Sequence, residues 1–382
     1  MSRDPHGRKI SRNATCWCGS GKKFKNCHYN REIEIRPHPR QAIRRFYDLQ
    51  KKTAFCSCDF DAERCTKQFV RAHSISKEAS LAQIANGGHV QCFEIDPESS
   101  AYQGVSIVQK GINHASVVRA FCSFHDHLLF GELDKMNLGS PQTFFWQLFY
   151  RTVCFERYLK LVATQNASIM RGLDAGSPGA WHPYWQDYVS RHKVAHSLGF
   201  DSLSRLKVLL ERQYLEGFNA ELYFRYFTVS GRLPFAGTGV FQPDLTPNGN
   251  KVQKVNQFYK IGQRFVSPRL EHICMSILPS RDQTILSFCA LRDHNKAITF
   301  VEDFLGHAGR CVDSFIGLAI LKMENLFFEP SFLASLPEPT VRRMKALHSY
   351  GVGEDVRLAE MRQAMQLRLF PGSCELPIVS SS

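Results

Sequence analysis

Residues 16–28 read CWCGSGKKFKNCH, and within this stretch lie three cysteines and a histidine: Cys16, Cys18, Cys27 and His28. Three thiolates and one imidazole complete a tetrahedral zinc site with no open position, which is the kind of site that stabilises a fold. Gly19 and Gly21 allow the chain to turn tightly behind the first cysteine pair. Because residues 1–35 have few large apolar side chains, we expect this segment to fold around a metal ion.

The spacing of these four residues and the GSGKKFKNC sequence between them resemble the SEC-C motif, a zinc-binding tail first associated with the SecA translocation motor. The resemblance covers a small part of the 382-residue chain. It implies structural zinc but no translocase, since the chain lacks the phosphate-binding Walker A sequence that a SecA motor needs.

Positive charge is concentrated near the start of the chain. Residues 1–52 contain 14 Lys or Arg and four Asp or Glu, a balance of +10 out of a formal net charge of +13. A basic segment of this kind predicts an anionic partner, with nucleic acid first. The alternative is a solvated basic tail, or one that contacts a protein or the ribosome.

The 13 cysteines do not suggest a disulfide scaffold, because their number is odd and the N-terminus lacks the apolar core of a secretory signal. No run approaches the 18 or so apolar residues of a membrane span. These features predict a cytoplasmic protein with no membrane segment.

A second set of cysteines and histidines follows between residues 56 and 126. Cys56, Cys58 and Cys65 precede the sequence RAHSISK, which contains His73, and FCSFHDHLLF then contains the group Cys122, His125 and Asp126. We expect a second structural zinc ion held by Cys58, Cys65, Cys122 and His125, with Cys56 as an alternative to Cys58.

This second set resembles HNH-type treble-clef endonucleases, in which an Ala-His stretch carries the catalytic histidine and a later Cys-x2-His stretch supplies metal ligands. The resemblance implies that His73 is the general base for water and that Asp126 helps to hold a catalytic Mg²⁺ or Mn²⁺ ion. Histidine titrates near neutral pH, and a cation would neutralise the charge that develops on phosphate oxygens. The implied activity is phosphodiester hydrolysis.

Two observations keep a non-catalytic interpretation open. The sequence before Cys122, ASVVRAF, lacks the asparagine that the nuclease family usually carries, and the interval between His73 and Cys122 is long. The alternatives are a treble clef that only binds nucleic acid or protein, the absence of a second metal site, and a zinc adaptor for a protein partner or the ribosome. The sequence leaves open the choice between DNA and RNA, the oligomeric state and the role of residues 139–382.

The predicted fold class is α+β, with an N-terminal zinc module at 1–35, an HNH-like treble-clef region at 36–138, and a larger α+β domain at 139–382. Apolar periodicity predicts helices at 39–52, 76–86, 122–133, 141–169 and 202–219, and further helices across 293–370. Strands are predicted at 90–95, 105–109, 222–229, 240–241, 272–277 and 284–289. The last domain is therefore expected to be mostly helical with an inserted β-sheet.

Overall fold

Helices and strands both contribute to the structure, a computed structural model that describes residues 7–95, 104–217, 222–255, 259–261, 264–266, 268–307, 311–351, 356–370 and 379–381. The helices are α1 (Pro39–Lys52), α2 (Ser123–Asp134), α3 (Pro141–Met170), α4 (Trp181–Leu215), α5 (Asn295–His307), α6 (Val312–Lys322), α7 (Pro330–Ser335), α8 (Glu338–Gly351) and α9 (Leu358–Met365). The strands are β1 (Ala72–His73), β2 (His89–Ile95), β3 (Val105–Gly111), β4 (Val117–Val118), β5 (Leu222–Ser230), β6 (Phe235–Phe241), β7 (Tyr259–Ile261), β8 (Arg264–Val266), β9 (Ile273–Pro279), β10 (Gln283–Leu291), β11 (Leu326–Phe328) and β12 (Val379–Ser381).

The chain divides into two compact units. The first unit contains Met1–Thr53 and Tyr158–Asp201, and the second contains Ala54–Arg157 and Ser202–Ser382. Helices α3 and α4 each contribute residues to both units. The predicted boundaries at 35/36 and 138/139 group the chain differently, because the segment that contains Cys16 to His28 shares its unit with residues from the middle of the sequence.

An eight-stranded sheet organises the second unit, in the order β12-β5-β10-β9-β6-β11-β2-β3. Each neighbouring pair in it is antiparallel, as in the central register Leu286↔Ile277 between β10 and β9. All residues of β9 are buried, and so are all but Gln283 in β10, because both faces of the central strands are covered. Separate two-stranded sheets pair β1 with β4 and β7 with β8.

Helix α6 lies at the centre of the apolar core of this unit. Its first ten residues, Val312–Leu321, are all buried, and residues from α5, α8 and α9 belong to the same core cluster. Gly317 permits close packing of α6 on α9, since a Cβ atom there would lie 2.0 Å from the carbonyl oxygen of Ala364. Among the residues described, no helix combines the length and the apolar character needed to cross a membrane.

The first unit combines the segment that contains Cys16 to His28, α1, the end of α3, a 3-10 turn at Arg171–Asp174 and the start of α4. The hydroxyl group of Tyr158 in α3 donates a 2.8 Å hydrogen bond to the carbonyl of Thr53, just after α1. Gly176 has a φ of +67° and packs against residues 34–36, so that a Cβ atom would lie 2.6 Å from the carbonyl oxygen of Glu34. The segment after His28 is therefore held against the loop before α4.

Most predicted elements of regular structure are confirmed. Helices α1 and α3, and strands β2, β3, β5, β9 and β10, begin and end within two residues of their predicted bounds. The helix predicted at 76–86 is wrong, since only Leu81–Ile84 form a short 3-10 turn. The helix predicted at 202–219 is the later part of α4, which begins at Trp181.

Candidate metal centres

The first cluster contains the four residues predicted from the opening motif: Cys16, Cys18, Cys27 and His28. The backbone amide of Cys16 bonds to the carbonyl of Lys22, which closes a tight loop, and both glycines in that loop have positive φ. A 3-10 turn at Phe24–Asn26 then leads directly into the last two ligands. Phe24 is buried and packs with the first two cysteines, so the loop folds around a very small apolar core.

The ligand atoms of the first cluster lie slightly closer together than a bound zinc ion would place them. The Nδ1 atom of His28 lies 3.3 Å from Cys16 Sγ and 3.2 Å from Cys27 Sγ, and the sulfurs of Cys18 and Cys27 are 3.5 Å apart. Zinc bonds of about 2.3 Å to sulfur and about 2.0–2.1 Å to nitrogen separate tetrahedral ligands by roughly 3.5–3.8 Å. The cluster could therefore hold a zinc ion after small outward shifts of its ligand atoms.

Asp174 supports the first cluster from a distant part of the sequence. Its fully buried carboxylate accepts a 2.9 Å hydrogen bond from Nε2 of His28, and further bonds from Arg31 Nε at 2.8 Å and Gln186 Nε2 at 2.7 Å. With the proton on Nε2, the Nδ1 lone pair of His28 faces the three sulfurs. The carboxylate thus fixes the ring in the orientation and tautomer that a metal ion needs.

Protonation of His28 competes with metal binding. Burial disfavours the imidazolium, but hydrogen bonds to Asp174 and to the thiols outweigh that effect and raise the pKa of His28 to about 11. Zinc binds only the neutral imidazole, so a proton on Nδ1 must leave before the metal can bind there. His182 also lies beside this ring, with centroids 5.5 Å apart, and its own Nε2 donates to the carbonyl of Ser177.

The second cluster contains Cys56, Cys65, Cys122 and His125. The Nδ1 atom of His125 lies 3.3 Å from Cys56 Sγ and 3.2 Å from Cys122 Sγ. Cys122 is the N-cap of α2, and its sulfur accepts from the backbone amide of His125 at 3.5 Å. Burial opposes the thiolate, but bonds from the amide of His125 and from Thr66 lower the pKa of Cys122 to about 6.

Cys58, which we predicted as a ligand, does not belong to this group, and Cys56 stands in its place. The amides of Phe55 and Ser57 bond to the carbonyls of Arg119 and Ala120, so the chain between them runs beside the segment that leads into Cys122. This pairing brings Cys56 to the cluster. Cys58 is buried separately, and burial raises the pKa of its thiol.

Asp61 supports the second cluster as Asp174 supports the first. Its carboxylate lies 3.2 Å from Nε2 of His125, and it also accepts from Arg64 Nε at 2.8 Å. The guanidinium of Arg64 lowers the pKa of Asp61, which keeps the carboxylate charged beside the ring. Neither Asp61 nor Asp174 was predicted from the sequence, because neither lies within a ligand motif.

His73 and Asp126, predicted as catalytic residues, occupy separate surroundings. His73 ends β1, its Nε2 lies 3.1 Å from the carbonyl oxygen of Ile112, and burial lowers its pKa. Asp126 lies in the first turn of α2 with Arg151 4.0 Å away, and burial raises its pKa. Among the residues described, neither belongs to a group of three or more metal-binding side chains. Their catalytic roles, and the treble-clef assignment of this region, stay predictions.

Comparisons with known proteins bear on the first cluster. Residues 12–30 match the SEC-C motif. A comparison with curated protein sequences returned no match, and neither did a comparison with solved structures. The SEC-C resemblance of the opening sequence is therefore confirmed, and the four side chains that the fold brings together all lie within this motif.

Proposed function

We propose that this protein binds nucleic acid through its first unit, in which a zinc ion at the first cluster organises a basic surface. The observation that carries the proposal is the distribution of charge. The first unit contains 18 Lys or Arg and seven Asp or Glu, so it holds +11 of the net charge of +13. The larger second unit is close to neutral, and a polyanionic partner would therefore be drawn to the first.

The basic residues around the first cluster are well placed for such contacts. Lys22, Lys23 and Lys25 are exposed, and they lie in the loop between the two halves of the SEC-C motif. Because the ligands on either side fix this loop, the three ammonium groups are presented without a large loss of backbone freedom on binding. Arg12 is exposed and stacks on the ring of Tyr29 with 4.4 Å between the guanidinium carbon and the ring centroid.

The chemistry of the ligand set supports a structural role for both clusters. Three sulfurs and one nitrogen complete tetrahedral coordination, and no position is left for water or substrate. Zinc at either site would stabilise the local fold. The residues that would contact phosphate are the lysines and arginines outside the clusters.

Binding to labelled DNA and RNA oligonucleotides, measured as a function of salt, tests the proposal. We expect affinity to fall steeply with salt, and the triple variant Lys22→Glu, Lys23→Glu, Lys25→Glu to lower the log–log slope by about 2–3. In the matched control, three exposed lysines of the second unit are replaced by glutamate: Lys251, Lys254 and Lys296. This control should leave the slope unchanged. Zinc content should be the same in all three proteins.

Two results would contradict the proposal. Binding that does not change with salt would exclude phosphate contacts as its source. No binding to either nucleic acid would favour the alternative, a zinc adaptor for a protein partner or the ribosome.

Endonuclease activity stays a prediction with weaker support. A general base must reach the water it activates, but the Nε2 atom of His73 is directed at a backbone carbonyl. The same oligonucleotides incubated with Mg²⁺ or Mn²⁺ would detect cleavage, and loss of that cleavage in His73→Ala with zinc content intact would support the catalytic role.

A further inference from the structure

A row of aromatic side chains is exposed at the start of α4, within the first unit. The exposed fractions are 45% for Trp181, 64% for Tyr184 and 47% for Tyr188. Of the tryptophans and tyrosines whose side chains the structure describes, these three alone are exposed. Large aromatic rings are usually buried in a monomeric protein, so three on one surface indicate a binding site.

The three residues, which we call the aromatic face, lie on one side of the helix. Their spacing of three and then four residues places the side chains in one row about 10 Å long. The rings of Trp181 and Tyr184 are 4.9 Å apart. The row continues beyond Tyr188, whose ring lies 6.0 Å from that of His192, so planar groups follow one another along the helix.

The opposite side of the same helix turns is fixed by the network around the first cluster. Gln186 is buried and donates to the Asp174 carboxylate and to the carbonyl of Arg171. His182 and Val189 are buried on the same side. Because Asp174 also bonds to His28, one chain of contacts runs from the cysteine–histidine cluster to the helix that carries the aromatic face.

The composition of the surface indicates the kind of partner. Between positions 181 and 196 the exposed residues are Trp181, Tyr184, Asp187, Tyr188, Arg191, Lys193 and Ala195. This part of the surface, as described, has no exposed Leu, Ile, Val or Met side chain, which a protein-binding helix face would normally present. Its single acidic residue, Asp187, forms a 2.8 Å ion pair with Arg191.

Aromatic rings with positive charge around them match single-stranded nucleic acid. Bases stack on exposed rings whatever their sequence, while lysine and arginine contact the phosphates. The bases of a duplex are already stacked on one another and cannot reach such a face. The net charge of +11 on this unit supplies the electrostatic attraction.

We infer that the aromatic face of α4 stacks the bases of single-stranded nucleic acid, so that the protein binds single strands in preference to duplexes. This inference rests on the proposed function, because stacking requires that the basic first unit recruits the strand.

The test compares binding to single-stranded oligonucleotides with binding to duplexes of the same sequence. In the triple variant Trp181→Ala, Tyr184→Ala, Tyr188→Ala we expect single-strand affinity to fall about 5- to 150-fold for each base stack that is lost. Duplex affinity should remain unchanged. A matched control, Val208→Ser with Leu215→Ser, removes two exposed apolar side chains from the same helix and should have no effect on either affinity.

A conservative variant separates stacking from structural damage. Replacement of all three residues by phenylalanine keeps the rings and should retain most of the single-strand affinity. Zinc content and circular dichroism should be equal in all variants. If the alanine variant is misfolded, the inference is still tested by the relative affinities of the unmodified protein and the phenylalanine variant for single strands and duplexes.

The outcomes distinguish the inference from the proposed function. Wild-type affinity of the alanine variant for single strands, or a preference of the unmodified protein for duplexes, would overturn the inference and leave nucleic-acid binding standing. No binding to either form would overturn both. Loss of self-association in the alanine variant with single-strand binding intact would assign the aromatic face to contact with a second copy of this chain, and would also overturn the inference.

Discussion

The two cysteine–histidine clusters each contain three cysteines and one histidine, but they differ in where these residues lie along the chain. All ligands of the first cluster fall within 16–28, while its supporting carboxylate, Asp174, is 146 residues from His28. In the second cluster the ligands spread from Cys56 to His125, and the supporting Asp61 lies between them. Ligands that are local in sequence are easily recognised, whereas long-range partners become visible only in the fold.

The clusters also differ in the structure around them. The first has little apolar core of its own, since Phe24 is the large apolar residue buried beside its cysteines. The second lies in a unit with an extensive core formed by the sheet and its helices. We therefore expect metal to matter more for folding at the first cluster than at the second.

The largest expected effect comes from Cys27→Ser, which removes a ligand of the first cluster. Structural zinc contributes about 10–16 kcal/mol in small zinc-finger peptides, so we expect loss of one zinc ion and local unfolding of the SEC-C segment. Elemental analysis should give one zinc per chain in place of two. Hydrogen exchange should increase strongly across residues 12–30.

The matched variant at the second cluster is Cys65→Ser, which should also lose one zinc ion. Protection from exchange in the strands β9 and β10 should persist, because the core of their unit does not depend on the metal. Equal loss of protection in both variants would show that the two clusters do not differ in this way.

A smaller effect separates Cys56 from Cys58. Cys56→Ser should remove the second zinc ion, because the Cys56 sulfur lies 3.3 Å from the ligand nitrogen of His125. Cys58→Ser should keep two zinc ions and lose a modest amount of stability through a buried thiol replaced by a hydroxyl. Zinc analysis of the two purified variants checks this directly, and the reverse pattern would return Cys58 to the ligand set.

The smallest effect concerns the two supporting carboxylates. Asp174→Asn and Asp61→Asn each remove the negative charge behind a ligand histidine, and such changes typically weaken metal binding by about 10- to 100-fold. We expect the larger loss for Asp174, because it is fully buried, whereas Asp61 is partly exposed. Competition with a chelator would measure both affinities. A larger loss for Asp61→Asn would reverse this ranking.

Part of the fold was predictable because the signals were local. Helix α1 begins at Pro39, and its predicted bounds agree because apolar spacing and an N-terminal proline mark such a helix clearly. The start of α4, which contains Pro183, was not predicted. Pro183 lies in the first turn, where its absent amide has no partner to lose.

Other elements were decided by contacts that no local pattern shows. Only two residues of β6 were predicted, since Gly237 and Gly239 argue against a strand. A Cβ atom would lie 2.7 Å from Leu326 at position 237 and 3.0 Å from Met323 at position 239. Glycine at both positions therefore leaves room for these two side chains to pack against the strand. In the segment predicted as helix at 76–86, the amide of Ala79 bonds to the Ser76 hydroxyl and a turn forms instead.

The position of Cys56, and not Cys58, in the second cluster also depends on contacts that no local pattern shows. Both precede Cys65 at plausible ligand spacing, and the selection depends on backbone pairing with residues 119 and 120. Asp174 could not be predicted, because nothing in the local sequence distinguishes it from other aspartates in polar loops. Its role depends on the hydrogen bonds that it accepts from His28, Arg31 and Gln186.

The hydrogen bond between His28 and Asp174 has a consequence for the order of events during synthesis. All four ligands of the first cluster emerge early, but the aspartate that orients the histidine is translated 146 residues later. Early in translation the nascent motif can therefore bind zinc only while the imidazole of His28 lacks the hydrogen bond that orients it. We expect the cluster to reach its full affinity when the start of α4 has been made, so that a metal ion acquired at the beginning of the chain is secured near its middle.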